Sequence, residues 1–506
     1  MPPHLSTKRR EWNRTMSDRP NLLFIMPDQM RHDFLSCYGA PHVSTPNIDR
    51  IAAEGIRYDQ AYSLHPVCVP ARCSLLTGLN AWRNHVLTNG NHLRPDHAAC
   101  GIRTWAEMLT DHGYLTSAIG KMHFYPWEAS FGFQHRIACE DKVWVNIQDD
   151  YWHYLQQRGH RKYMGKEHEG YDEQRGACVS LLPWDCYWDY FVGEEAARFI
   201  REYDDERPFA CMVGFPGPHD PYDPTPEFLA KVDVDKIPDP APGDPIHRDV
   251  REGIHPRPRP GAPIWTPETE GPYTEAQKRT VRAHYSALIL QIDHEVGQIL
   301  AALEESGRLD NTIVIFSSDH GDLVGDHGVN AKGNFYEGSC HVPMLVRQPG
   351  GATGAVRDDL VCLTDVTATL LAASGHGVPE YMDARPLPGL GLAGDSPRDM
   401  LIGGLQSGWM AYDGRHKLVK YGNGATGLFD LQEDSQEQHN LAESAAHAAE
   451  YRHLDAALWR EVMRSVQASH SYNLVDASES GPLWADKVFG ATGWERVYPH
   501  NSIRGE

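Results

Sequence analysis

Short apolar runs alternate with helical patterns along this chain, and that alternation determines the class of fold. Four runs are continuously apolar and end at turn residues, which is typical of buried strands in a parallel sheet. They span residues 21–26, 114–119, 208–215 and 312–316. Apolar residues spaced by three and four between Tyr285 and Leu303 predict a long amphipathic helix that closes before Gly307. The alternation predicts an α/β fold in which helices flank a large mixed, mostly parallel sheet.

Polar residues follow each of the four predicted strands. They are Asp28 after the first, Lys121 with His123 after the second, His219 after the third, and Asp319 with His320 after the fourth. A single aspartate after a strand is most often a plain turn residue. Ligand chemistry in open α/β sheets gathers at the carboxyl ends of strands, so these residues together predict one site.

A further candidate lies in the segment HPVCVPARCSLLTGL, residues 65–79. Cys68 and Arg72 form a Cys-x-Pro-x-Arg pattern, and Pro70 predicts a short helix that begins near it. The N-terminus of a helix and an arginine together suit an oxyanion, and a thiol placed there has a lowered pKa. A buried structural cysteine beside a capping arginine is the alternative that this pattern leaves open.

The longer pattern, in which Ser74 and Leu-Thr-Gly follow, resembles the signature of the formylglycine-dependent sulfatases of the alkaline phosphatase superfamily. The resemblance extends over residues 21–442. It implies an alkaline-phosphatase-like fold and an enzyme that hydrolyses a small organic sulfate ester. It also implies that a formylglycine-generating enzyme oxidises Cys68 to formylglycine, whose hydrated aldehyde is the nucleophile.

The resemblance further implies one divalent metal ion. Its ligands would be Asp28, the modified Cys68, Asp319 and His320, with Gln29 either a further ligand through its amide oxygen or a neighbour that supports the ligands. Carboxylates suit calcium, magnesium or manganese, while an imidazole favours manganese or zinc, so calcium or manganese is expected first. Many family members have a second Asp where this chain has Gln29 and an Asn where it has His320. The choline-sulfatase and phosphonate-monoester-hydrolase branches share this departure.

Four more residues match family positions that hold sulfate oxygens or move protons: Lys121, His123, His219 and Lys332. The resemblance implies that His219 or Lys332 assists the leaving alkoxide and that His123 takes the proton whose loss releases sulfate. Two alternatives stay open, a phosphonate-monoester or phosphodiester hydrolase and a catalytically idle metal-binding scaffold. Lys121 and His123 favour sulfate, since the phosphonate branch typically lacks them.

The substrate is open among aryl, choline-like and sugar sulfates. Residues 139–191 are rich in aromatic side chains, which could form the wall of a pocket or pack in a core or subunit interface. Asn89 and Asn91 could bind sugar hydroxyls. A net charge of −22 excludes a general affinity for nucleic acid or anionic membranes, and no apolar run reaches membrane-spanning length.

The remaining expectations concern domains and assembly. Residues 1–18 are predicted to be a disordered or artefactual extension, 19–385 the catalytic domain, and 386–506 a smaller C-terminal α+β domain. Residues 236–272 hold ten prolines and predict a long extended excursion. Ten cysteines without Cys-x-x-Cys spacing predict reduced thiols and a cytoplasmic protein. The aromatic-rich tail after residue 469 predicts a homo-oligomer, a dimer or tetramer, in which the tail crosses the interface.

Overall fold

A computed structural model of the chain describes residues 19–94, 96–243 and 273–473, with side chains as far as residue 467. The chain divides into two compact units, one that ends at Asp455 and one that begins at Ala456. The strands of the first unit are β1 Asn21–Asp28, β2 Ile56–Tyr58, β3 Ala61–Tyr62, β4 Leu115–Gly120, β5 His135–Ala138, β6 Phe209–Pro218, β7 Thr312–Ser317, β8 Met344–Arg347, β9 Ala355–Arg357, β10 Val361–Cys362, β11 Leu401–Leu405, β12 Gly408–Tyr412, β13 His416–Tyr421 and β14 Thr426–Asp430.

The α-helices follow the strands in alternation. They are α1 Pro46–Ala53, α2 Cys68–Thr77, α3 Ala81–Asn84, α4 Trp105–Asp111, α5 Asp150–Gln157, α6 Trp188–Arg201, α7 Pro226–Leu229, α8 Glu275–Glu305, α9 Glu337–Cys340, α10 Asp365–Ser374 and α11 Ala448–Asn473. Among the helices described, none combines the length and the apolar content that a membrane crossing requires.

Eight strands form the central sheet in the order β5-β4-β6-β1-β7-β8-β2-β9. All neighbouring pairs are parallel except those that β8 makes with β7 and β2. The predicted mixed, mostly parallel sheet is therefore confirmed. A separate pair, β3 with β10, is also parallel.

Strand β1 shows why the first apolar run has no polar face. All eight of its residues are buried. Leu23 and Ile25 pack in one hydrophobic core, and Phe24 and Met26 pack in another on the opposite side of the sheet. Because helices cover both faces, alternate side chains both need to be apolar.

Helix α8 contains the predicted amphipathic segment but begins ten residues before Tyr285. Thr274 caps it, since its hydroxyl accepts from the backbone N–H of Gln277, and its own backbone N–H donates to the amide oxygen of Gln277. The apolar stripe from Tyr285 to Leu303 is buried in the core that also holds α6. The first three helical turns are polar, so the apolar period alone did not reveal them.

Strands β11 to β14 form an antiparallel sheet, and Tyr412 pairs with Lys417 across the predicted turn at Asp413 and Gly414. This confirms the small C-terminal sheet, whose apolar face packs against Phe335 and Tyr336. The boundary near residue 386 stays a prediction. The predictions for residues 1–18, for most of 236–272 and for the tail beyond 473 lie outside the described residues.

Candidate active site

Four buried side chains from three segments meet at the carboxyl end of the central sheet. Asp28 is the last residue of β1, Asp319 and His320 follow β7, and Cys68 is the first residue of α2. One ligand atom from each lies within 4.8 Å of the others. The sheet topology explains the meeting, because β1 and β7 are parallel neighbours and end on the same edge.

Helix α2 begins at Cys68, two residues before Pro70, so the predicted short helix that begins near Pro70 is confirmed. Val67 precedes the helix in extended conformation and its side chain forms no cap. Pro70 still occupies the first turn, where its missing N–H costs nothing. The N–H of Val69 donates to Asn89 Oδ1 at 3.0 Å. This bond gives Asn89 a capping role, and its contact with a sugar hydroxyl stays a prediction.

Arg72 joins the two aspartates of the site. Its Nη2 lies 2.9 Å from Asp28 Oδ2, and its Nε lies 2.9 Å from Asp319 Oδ2. Its Nη1 donates to the backbone carbonyl of Lys121 at 2.7 Å. The guanidinium is buried and each of its three nitrogens donates a hydrogen bond, so it orients the carboxylates and leaves each Oδ1 atom to face Cys68 and His320.

His320 presents one ring nitrogen to this cluster. Its Nδ1 lies 2.9 Å from the carbonyl oxygen of Gly321, to which it donates, and its Nε2 lies 3.2 Å from Cys68 Sγ. Nε2 is also 3.7 Å from Asp319 Oδ1 and 4.0 Å from Asp28 Oδ1. A histidine whose Nδ1–H is held by a carbonyl has the tautomer that binds metals through Nε2. Two carboxylates and this imidazole therefore fit a divalent ion.

Gln29 lies beside the cluster in left-handed conformation, with φ of 72°. Its backbone N–H donates to Asp319 Oδ1 at 3.0 Å. Its amide oxygen accepts a hydrogen bond from Lys332, and its amide nitrogen donates to Asp322. The predicted role of Gln29 as a metal ligand stays a prediction.

Lys121 is fully buried between two carboxylates. Its Nζ lies 2.9 Å from Asp28 Oδ2 and 2.5 Å from Asp141 Oδ2. Burial disfavours the ammonium, but Asp141 and Asp28 outweigh it and raise the pKa of Lys121 above its usual range. The sequence did not reveal Asp141, because it follows β5, a short, half-buried strand that has no apolar run.

His123 adjoins the same carboxylate. It adopts φ of 59°, and its backbone N–H donates to Glu140 Oε2 at 2.9 Å. Its Nδ1 lies 3.6 Å from Asp141 Oδ2 and forms no hydrogen bond with any described residue. The ring meets Trp144 edge to face. His123 thus offers a buried nitrogen that is free to take a proton.

Lys332 and His219 form a second pair at the site. Lys332 Nζ lies 2.9 Å from His219 Nε2, and His219 Nδ1 lies 2.7 Å from the carbonyl oxygen of Asp220. Burial and Lys332 oppose protonation of this ring, but Asp220 and Asp141 raise the pKa of His219 to about 9. Because Nδ1–H donates to the carbonyl, Nε2 is the ring nitrogen that faces Lys332.

Cys68 differs electrostatically from the other cysteines. Burial and Asp28 oppose its ionisation, but Lys332, His320 and Lys121 hold the pKa of its thiol well below the usual range. Burial raises the pKa of Cys211 to about 12, although a hydrogen bond with Ser117 opposes this. All ten cysteines are free, which agrees with the reduced thiols predicted from their spacing.

The aromatic residues of the segment 139–191 divide between two environments. Tyr151, Trp188 and Phe191 are buried in the core around α6 and α8, so the core interpretation is right for them. Trp144 is the member that contacts a site residue, His123. Among the ring contacts of the described residues, the indole of Trp144 is thus the one from this segment that lies beside a predicted site residue, and the aromatic pocket wall stays a prediction.

Comparison with known proteins agrees with this geometry. The sulfatase family model matches residues 20–376. The arylsulfatase of Clostridium perfringens is 30% identical over 476 residues, 88% of this chain and 94% of that protein. The choline-sulfatase of Rhizobium meliloti is 28% identical over 463 residues, 87% of each chain. The chain therefore belongs to the sulfatase family and is a sulfuric-ester hydrolase.

The solved structures give the same fold. The phosphonate monoester hydrolase of Agrobacterium radiobacter matches with a TM-score of 0.73 and 25% identity, over 88% of this chain and 96% of that one. The predicted alkaline-phosphatase-like architecture is thus confirmed. Sulfatases generally use formylglycine and a divalent metal, and the cluster of Asp28, Cys68, Asp319 and His320 is compatible with both.

Proposed function

We propose that the enzyme hydrolyses a small organic sulfate ester with formylglycine derived from Cys68 as its nucleophile. The observation that carries the proposal is the position of Cys68. It begins a helix, it lies 3.2 Å from His320 Nε2, and it is surrounded by the cations that would face an oxyanion. The maturation requires a formylglycine-generating enzyme as a partner.

The metal would be held by Asp28, Asp319 and His320. When bound, formylglycine and a divalent ion supply an activated hydroxyl nucleophile and neutralise charge on the transferred sulfate. Arg72 keeps one oxygen of each aspartate turned toward the ion. Calcium or manganese suits the carboxylates, and His320 favours manganese. Removal of metal by a chelator, followed by addition of calcium, manganese, magnesium or zinc, should restore turnover most fully with one of the first two.

The cations of the site hold the substrate and move protons. Lys121 and Lys332 face the position of the sulfate oxygens and neutralise charge as the ester bond breaks. His219 Nε2 and Lys332 Nζ, 2.9 Å apart, deliver a proton to the departing alkoxide oxygen. His123, whose Nδ1 is unbonded among the described residues, takes the proton whose removal releases sulfate.

A second candidate is hydrolysis of phosphonate monoesters, which the similarity to the Agrobacterium enzyme favours. The same nucleophile and metal ligands would serve both reactions. A panel of an aryl sulfate, choline sulfate, a sulfated monosaccharide and a phosphonate monoester, compared by kcat/KM, tests both. The sulfate proposal requires one of the three sulfates to have the highest value, and a higher value for the phosphonate would overturn it.

The cytoplasmic, homo-oligomeric state of the enzyme is part of the same proposal. Ten free cysteines support a reducing compartment. Trp459, Met463 and Val466 lie one helical turn apart on α11 and are 58%, 62% and 64% exposed, an apolar stripe that suits a subunit interface. Substitution of Trp459 and Met463 by glutamate should lower the mass in solution, and an unchanged mass would contradict this interface.

A further inference from the structure

Asp322 is a buried carboxylate outside the predicted site, and it accepts hydrogen bonds from three separate segments. The donors are the side chains of Gln29 and Tyr222 and the backbone N–H groups of Val324 and Ala331. Its side chain is fully buried. A carboxylate with four donors is saturated, so its geometry fixes the groups around it.

Oδ1 of Asp322 joins the two ends of the loop that precedes Lys332. It accepts from Val324 N at 3.0 Å and from Ala331 N at 2.7 Å, at the two ends of the loop. Leu323 N also donates to the carbonyl oxygen of Ala331 at 2.9 Å. Ala331 has φ of 68°, a left-handed conformation that is unfavourable for alanine and needs such support. Lys332 is the next residue.

Oδ2 of Asp322 fixes the orientation of Gln29. It accepts from the amide nitrogen of Gln29 and from the Tyr222 hydroxyl, the latter at 2.6 Å. Because the amide nitrogen faces the carboxylate, the amide oxygen faces Lys332, from which it accepts a bond. A carboxylate at position 29 would instead meet Asp322 with like charge.

We propose that Asp322 is a positioning residue that sets the amide orientation of Gln29 and the location of Lys332. It contacts no residue of the metal cluster among its described hydrogen bonds, so it acts through Gln29 and Ala331. The inference rests on the proposed function for its effect on turnover, but the pairing of Asp322 with Gln29 is independent of any substrate.

A double-mutant cycle tests this pairing. Asp322→Asn places an amide nitrogen against that of Gln29, which then turns its own nitrogen toward Lys332. We expect kcat/KM to fall about 10- to 100-fold, as for a buried hydrogen bond whose partner is mismatched. Gln29→Glu alone should also be impaired.

In the double variant, the new carboxylate at position 29 accepts from both Lys332 and the new amide at position 322. We expect its activity to be at least about tenfold above the product of the single effects.

The same four proteins, without metal and without conversion of Cys68, provide a readout that needs no activity. We expect the Tm of the double variant to exceed the additive value by about 2 °C or more. Additive effects in both kcat/KM and Tm would overturn the proposal. If Asp322→Asn alone does not fold, the double variant must fold, and failure of both would also overturn it.

Tyr222→Phe is the matched control, since it removes one donor without creating a mismatch, and its activity should stay within about threefold of wild type. If Tyr222→Phe loses as much activity as Asp322→Asn, the hydrogen-bond network around Asp322 has a merely structural role, and the inference is contradicted. Absence of turnover by the wild-type protein on every ester would overturn the proposed function instead, while the Tm cycle would still decide the role of Asp322.

Discussion

Arg72 donates a 2.9 Å hydrogen bond from Nε to Oδ2 of Asp319, and both side chains are buried. The same guanidinium reaches Asp28 Oδ2 at 2.9 Å through Nη2. One planar cation therefore sets the separation of the two carboxylates that would hold a metal. The planar fork of arginine fixes the directions of both bonds, whereas the ammonium of lysine is a point charge on a flexible chain and would not hold the two carboxylates in this arrangement.

Arg72→Lys should therefore impair the enzyme although it retains the positive charge. We expect kcat/KM to fall about 100-fold or more, since one aspartate loses its partner and turns from its position. Metal titration of purified protein should show weaker binding. Arg50→Lys is the control, because Arg50 pairs with glutamates at the surface, and it should change neither quantity. Activity of Arg72→Lys within about threefold of wild type would contradict this role.

Asp141→Asn should impair the function of Lys121, because asparagine keeps the shape of aspartate but removes its negative charge. Asp141 Oδ2 lies 2.5 Å from Lys121 Nζ, and its loss leaves Asp28 as the nearest carboxylate. We expect about a 10- to 100-fold loss of kcat/KM with metal content unchanged. Asp111→Asn changes an exposed aspartate and is the matched control variant. An unimpaired Asp141→Asn enzyme would show that Lys121 needs no second partner.

Part of this site was predictable from the sequence. Asp28, Lys121, His219 and Asp319 follow apolar runs, and parallel strands bring their ends to one edge. Asp141 was not predictable from the sequence, since β5, the strand before it, has no continuous apolar pattern. Asp322 was not either, because its role arises from contacts with Gln29 and Tyr222, which are remote in sequence, and no local pattern encodes them.

The fold, like the site, was predictable from the sequence only in part. Strand β1 was recognisable because helices cover both its faces, which requires residues 22–26 to be apolar without alternation. Strand β2 and the edge strand β9 have three residues each and carry no period of that kind. The start of α8 was missed because its first turns are polar, although the capping box at Thr274 was a usable signal.

We expect the protein to lose stability at alkaline pH because of Glu295. Neither of its carboxylate oxygens accepts a hydrogen bond from a described residue. Burial, then Glu194 and Asp189, raise the pKa of Glu295 to about 9 from 4.5. The folded state thus binds a proton that the unfolded state releases, so its stabilising effect is complete below about pH 4.5 and is lost as pH rises toward 9.

Glu295→Gln removes this titration. The gain in free energy of unfolding over wild type should grow from pH 5 to pH 8, where it should be about 3–5 kcal/mol. Urea unfolding at the two pH values measures it. Glu305→Gln, exposed on the same helix, should show no such growth. A gain from Glu295→Gln that is equal at both pH values would contradict the prediction.

Lys417 should be essential for stability. It is fully buried on β13, with Nζ 2.6 Å from Glu337 Oε1 and 2.8 Å from Glu437 Oε1. Lys417→Met removes the ammonium that pairs with Glu337 and with the buried Glu437, at a cost of about 3–5 kcal/mol. Addition of Glu437→Gln should recover part of the loss in urea unfolding. A Lys417→Met protein of wild-type stability would contradict the network.

The central claim is that Cys68 is the precursor of the nucleophile. The most direct test is kcat/KM for the best sulfate ester of the panel, measured for wild type and Cys68→Ala, both with saturating divalent metal. We predict turnover by wild type and a loss of about 1,000-fold or more in Cys68→Ala with an unchanged Tm, since Cys68 supplies the thiol of the cluster that it forms with Asp28, Asp319 and His320. Retained turnover by a folded Cys68→Ala protein would contradict the account.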